Sequence, residues 1–141
     1  MSFQEKSAWL MSVALFAGGV FYFRAVADAS TALGELAPPN LPTLVTYAVI
    51  LIVIAVVGHI VIAALAPDDA NEATDEREKR ANDRAGHLSG YVLGVGVLLA
   101  LGVYLFTYDG NVMFYVLFGS LMLSQMAEYG IQVLLLRTRI F

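Results

Sequence analysis

Leu41 to Ala66 reads LPTLVTYAVILIVIAVVGHIVIAALA, twenty-six residues without one acid, lysine or arginine. At a rise of about 1.5 Å per residue, about 20 such residues carry a helix across the hydrocarbon of a bilayer. Three more runs of the same kind flank it: Ser7 to Phe23 (SAWLMSVALFAGGVFYF), Leu88 to Phe106 (LSGYVLGVGVLLALGVYLF) and Val112 to Leu136. The expected fold is an all-α integral membrane protein, one domain over residues 1–141 with four transmembrane helices. The spans fall at about 7–24, 41–66, 88–106 and 112–136. Composition agrees: 59% of the 141 residues are hydrophobic and 14% charged, with a mean hydropathy of +0.72. Soluble domains average about 45–50% apolar and about 25% charged.

The same numbers exclude several classes. With no cysteine there is neither a disulfide framework nor a thiolate metal site. A net charge of −4 provides no basic footprint, so no direct contact with nucleic acid is expected. Ala25-Val26-Ala27 resembles a signal-cleavage triplet, but Arg24 stands where a signal peptide would be neutral, and the first span is read as retained.

The spans are joined by a loop ending in APPN (Ala37 to Asn40), a charged stretch from Pro67 to His87, and a tight TYDGN turn. Asp-Gly and Gly-Asn steps punctuate chains strongly, which makes spans three and four an antiparallel hairpin. Lysine and arginine set the orientation. With both termini in the cytoplasm that side holds Lys6, Arg77, Lys79, Arg80, Arg84, Arg137 and Arg139, against Arg24 alone outside. The positive-inside rule therefore places both termini inside, in a membrane expected to be the prokaryotic cytoplasmic one.

The charged stretch PDDANEATDEREKRANDRAGH holds eleven of the chain's twenty Asp, Glu, Lys and Arg residues. Asp75 with Glu78 three positions later suits a helix start. Glu76 with Arg80 and Asp75 with Lys79 pair at i, i+4 in the favourable order. A helix is expected from about 75 that runs unbroken into span three, so that 75–87 rises into the cytoplasm. Two readings remain open for it: a solvated extension, or a docking surface for a soluble regulator formed by Asp75, Glu76, Arg77, Arg80, Asp83 and Arg84. Seven acids against four bases argue against anionic lipid as its partner.

Span three also carries Gly86, Gly90, Gly94 and Gly102, a smooth ridge that lets another backbone approach. The ridge serves either packing within the chain or a homo-oligomer.

Glu128 lies in the last span with Gln125, Tyr129 and Gln132 on an arc of about 100°. Facing lipid would cost a central charge about 2.5–3.5 kcal/mol, so the arc is expected to point inward. His59 lies eight residues before Pro67 and Glu128 nine before Arg137. With spans two and four parallel, the two sit at matching depth and are expected to be able to meet, with Tyr91 completing a polar cluster. Such a cluster either fixes helix register or forms a proton-linked site. His87 is at the boundary, at another depth than His59, which disfavours bis-histidine haem. One His and one Glu are too few ligands for a metal. No nucleophile with its base and no phosphate loop is present, so neither catalysis nor a cofactor is expected.

TDEREKRANDRAGHLSGYVLGVGVLLALG resembles the segment before the third span in a family of small four-span prokaryotic membrane proteins, a domain of unknown function. The shared features are a DER-acid start, a following arginine and a Tyr-Val-Leu entry to the span. The closing MAEYGIQVLLLRTR is similar to that family's last span, although it lacks a paired Arg-Arg-Gly. The resemblance implies four helices, no established reaction, and genes that often neighbour small helix-turn-helix regulators. Taken together, the residues favour a non-enzymatic regulatory or scaffolding subunit. The alternative is a small oligomeric transporter or proton-coupled channel using His59 and Glu128.

Overall fold

A computed structural model describes residues 2–67 and 75–138. The first part of the charged stretch, 68–74, and Arg139 lie outside the described residues. Four long helices carry the fold: α1 Phe3–Leu33, α2 Leu41–Leu65, α3 Glu76–Thr107 and α4 Gly110–Thr138. All four are long and apolar enough to cross a membrane. The strongest case is α2, whose most apolar window has no buried residue. Val45, Val49, Ile52, Val56 and Ile60 all point away from the other helices. So large an exposed apolar surface is incompatible with water. This is the surface of an integral membrane protein.

The helix ends follow local chemistry. The Ser2 hydroxyl accepts the Glu5 N–H at the start of α1, and Gly34 closes it in the left-handed conformation at φ 74°. This helix overruns the apolar run expected at 7–24, because hydropathy marks hydrocarbon rather than helix. AVADASTAL continues as an ordinary helix until the glycine. Asn40 caps α2 through Thr43 N–H at 2.9 Å. Asp75 occupies the N-cap of α3, which then runs unbroken to Thr107. Only Tyr108 and Asp109 separate α3 from α4, and the Asp109 carboxylate accepts the Asn111 and Val112 N–H groups. Such bonds satisfy donors that have no partner inside a helix.

The packing order is α2 on α1, α1 on α4, and α4 on α3. The α3–α4 hairpin is antiparallel: Arg77 meets Leu136, Ser89 meets Ser124 and Glu128, and Gly96 meets Ser120. Contact is made through a narrow face of small side chains on α3, with Ala81, Ala85, Ser89, Gly96 and Ala100 all buried. The expected ridge lies elsewhere. A Cβ built at Gly90, Gly94 or Gly102 would meet nothing within 4 Å, and one at Gly86 would lie 3.7 Å from Glu128 Oε1. At 3.6 residues per turn, Gly90 stands about 120° around α3 from the contact face. Of the two uses open to the ridge, packing within the chain involves Gly86 and not Gly90, Gly94 or Gly102.

Where α1, α2 and α4 meet, Tyr22, Tyr47 and Met122 form the buried core, with Phe118 packed against it. The Tyr22 ring stands 4.7 Å from Phe118 and 5.6 Å from Tyr47 between centroids. Nearby, the Tyr115 hydroxyl donates to the Ala37 carbonyl at 2.8 Å, tying the α1–α2 loop to α4. At the opposite end Arg137 pairs with Glu5 at 2.7 Å and lies over the Trp9 ring.

Candidate functional site

His59 and Glu128 are not brought together. The His59 Nδ1–H faces the Ala55 carbonyl at 2.6 Å and donates to it. That leaves Nε2, 2.6 Å from the Ser7 hydroxyl, to accept from it. Both ring nitrogens are satisfied, one within α2 and one by α1. His59 thus locks α2 to α1. Depth matching alone points to α4 and does not single out Ser7 on α1.

Glu128 faces α3 instead. Ser89 Oγ donates to the Gly86 carbonyl at 2.9 Å and, more loosely, to Glu128 Oε2 at 3.4 Å. Ser124 Oγ closes the contact by donating to the Ser89 carbonyl at 2.8 Å. Among the described residues no hydrogen bond or ion pair joins Glu128 to His59, Gln125, Tyr129 or Gln132. Gln132 is buried at 5% exposure, while Gln125, Glu128 and Tyr129 are half-buried. The arc is shared; a bonded network is not. Tyr91 stands apart, 62% exposed, with its hydroxyl 3.2 Å from His87 Nε2. Ser89 and Ser124, which hold the carboxylate's surroundings, carry no sequence signal beyond their place near Gly86 and Glu128.

This arrangement has an energetic signature. His59→Ala and Glu128→Gln should act independently, because uncoupled sites add to within about 0.5 kcal/mol. Thermal unfolding of the two single variants and the double variant in detergent measures this. A coupling above about 1 kcal/mol would show that the two side chains interact after all.

The second candidate is the amino-terminal part of α3. Its inner face is fixed: Arg77 Nη2 donates to the Leu136 carbonyl at 2.5 Å, and Ala81 and Ala85 are 0% exposed. A cation at the carbonyl end of α4 also suits that helix's dipole. Arg77, expected on the docking surface, is thus engaged with α4. Residues 76–87 lie beside the last three turns of α4. The outer face carries Asp75, Glu76, Arg80, Asp83 and Arg84, all exposed. Glu76 and Arg80 form an ion pair at 3.4 Å with both side chains open to solvent, a contact of little strength. Gln4 of α1 joins Glu78, Lys79, Asn82 and Asp83 around a polar recess of about 310 Å³.

Among the described residues no group of three or more His, Cys, Asp or Glu side chains is placed to hold a metal ion. The chain matches no protein-family model, no curated protein and no solved structure.

Proposed function

We infer that this protein is a non-catalytic membrane subunit that docks a soluble cytoplasmic partner on the charged face of α3. One observation carries the reading: the inner face of 76–87 is clamped to α4, while Asp75, Glu76, Arg80, Asp83 and Arg84 remain outside and unspent on the fold. A braced helix presents its charges in fixed geometry, which lowers the ordering cost of association. The seven-to-one distribution of basic residues supports an orientation with this face and both termini inside. The resemblance to the four-span family whose genes neighbour small regulators supports a regulator as partner. The exposed glycines Gly90 and Gly94 leave room for a second copy, so the subunit is proposed to work as a homo-oligomer. The transporter alternative has lost its motivating pair, since His59 and Glu128 have separate partners.

Reversing Glu76, Arg80 and Asp83 together should abolish capture of soluble protein by the purified membrane protein, with thermal stability unchanged. Asp83→Cys should resist an impermeant thiol reagent in intact cells, while Pro39→Cys should react. Capture that survives the reversal, or labelling of residue 83 in sealed cells, would overturn the docking reading or its orientation respectively.

A further inference from the structure

The chain ends α1 and α3 by the same device with different residues. At the end of α1, Gly34 takes the left-handed conformation at φ 74°, and its N–H bonds the Ser30 carbonyl at 2.9 Å. At the end of α3, Tyr108 does so at φ 52°, with its N–H on the Tyr104 carbonyl at 2.7 Å. Glycine adopts this conformation freely, whereas a side chain there crowds its own backbone. Among the described residues Tyr108 is the one residue other than glycine with a positive φ.

The fold gains little from that choice. The turn's bonds are made by its neighbours: the Asp109 N–H on the Thr107 hydroxyl, and the Asn111 and Val112 N–H groups on the Asp109 carboxylate. The Tyr108 ring is 77% exposed, and among the described residues its hydroxyl makes no hydrogen bond. Its ring meets that of Tyr104 with 6.2 Å between centroids, towards the far end of the range for such pairs. A strained residue whose side chain does so little for the fold points to a use outside it.

The surroundings say what that use is. Along α3 the side chains of Leu88, Val92, Val95, Leu98 and Leu105 are exposed and belong to the lipid-facing surface, which Phe106 closes at 90% exposure. From Leu88 to Phe106 is about 27 Å along the axis, close to the hydrocarbon thickness of about 30 Å. Tyr108 stands where that run stops, with Asp109 next to it. Tyrosine suits such a boundary, because its ring is apolar and its hydroxyl seeks water.

We propose that Tyr108 is a membrane-interface anchor: its ring, beside those of Tyr104 and Phe106, beds the α3–α4 tip in the phospholipid headgroup layer. That contact offsets the strained backbone, and lipid oxygens supply the hydroxyl with the partner it lacks among the described residues. Because α3 runs unbroken from Glu76 to Thr107, a fixed tip also fixes the height of the charged face at its other end. That consequence rests on the docking reading; the anchor does not, and its test involves no soluble partner.

Tryptophan fluorescence in vesicles of phosphatidylethanolamine and phosphatidylglycerol tests the anchor. Trp9 is the only native tryptophan, so Tyr108→Trp in a Trp9→Phe background leaves one indole, at the tip. Its emission should be quenched most by phospholipid brominated near the headgroup, and less by phospholipid brominated near the chain end or by iodide in the water. Strongest quenching by iodide would put the tip in water, and strongest quenching from the chain end would put it in hydrocarbon. Quenching by none of the three would put it under protein; each of these outcomes overturns the proposal. In dodecyl maltoside micelles, which offer no phospholipid, Tyr108→Gly should melt about 3 °C higher than the wild type, as relief of left-handed strain predicts. In the vesicles that gain should vanish, because the anchor is lost along with the strain. An equal gain in both media, or a loss in micelles, would overturn the proposal.

Discussion

Gly96→Leu should be the most damaging single substitution in the chain, while Gly90→Leu and Gly94→Leu should pass almost unnoticed in the isolated subunit. At Gly96 α3 lies close against α4: a Cβ there would run into the Cβ and hydroxyl of Ser120, with the Ser120 Cα 3.4 Å away. The Ser120 Cβ is fixed to its backbone and cannot rotate aside as a methionine tip can, so the helices must separate. Overpacking of this kind costs about 1–3 kcal/mol, and a leucine against backbone belongs at the upper end. Parting the two helices also loosens the Ser124–Ser89 and Arg77–Leu136 bonds on the same face. Thermal unfolding in detergent should show a fall of several degrees for Gly96→Leu and none for Gly90→Leu. Equal losses at both positions would mean that the exposed ridge also holds the fold.

Tyr22→Ala should come second, at about 3 kcal/mol by analogy with large-to-small aromatic changes in soluble cores. Tyr22 is 1% exposed and touches the rings of Phe23, Tyr47 and Phe118, so one residue joins α1 to both α2 and α4. In lipid the water-transfer part of the cost shrinks and the lost packing remains. Tyr22→Phe keeps the ring and should be nearly neutral, since among the described residues its hydroxyl makes no hydrogen bond. If Tyr22→Ala unfolds like the wild type, the aromatic knot is not the joint between these helices.

Both effects rest on features that the sequence alone conceals, and for one reason. A soluble helix announces its packed face by polarity, whereas a helix apolar on all sides does not, because lipid is as apolar as the neighbouring helix. The existence of four helices, the start of α3 at Asp75 and the short link at Tyr108–Asp109 are legible, because charge and turn residues mark them. The choice of Gly96 over Gly90 is not, because it depends on which side of α3 meets Ser120, a matter of shape. The partner of His59 is hidden for a related reason. Depth arithmetic compares residues along the membrane normal and cannot distinguish Ser7 on α1 from Glu128 on α4. Charge is the more readable signal, yet it does not show what packs beside 76–87, since Arg77 reads as an outward-facing cation until the end of α4 is seen beside it.

The Glu5–Arg137 bond spans 132 positions and has a meaning in time. Its two halves are synthesised on the order of ten seconds apart at about 5–20 residues per second. During that interval α1 and α2 can form a hairpin, but the face of α1 that will meet α4 has no partner in its own chain. The later α3–α4 hairpin assembles locally through its two-residue link. Only then can the two hairpins dock, with Glu5, Trp9 and Arg137 fastening the first turns of the chain to the last. Whatever else lies in the bilayer beside α1 in those seconds competes with α4 for the same surface, and the order of translation thereby becomes part of how the molecule assembles.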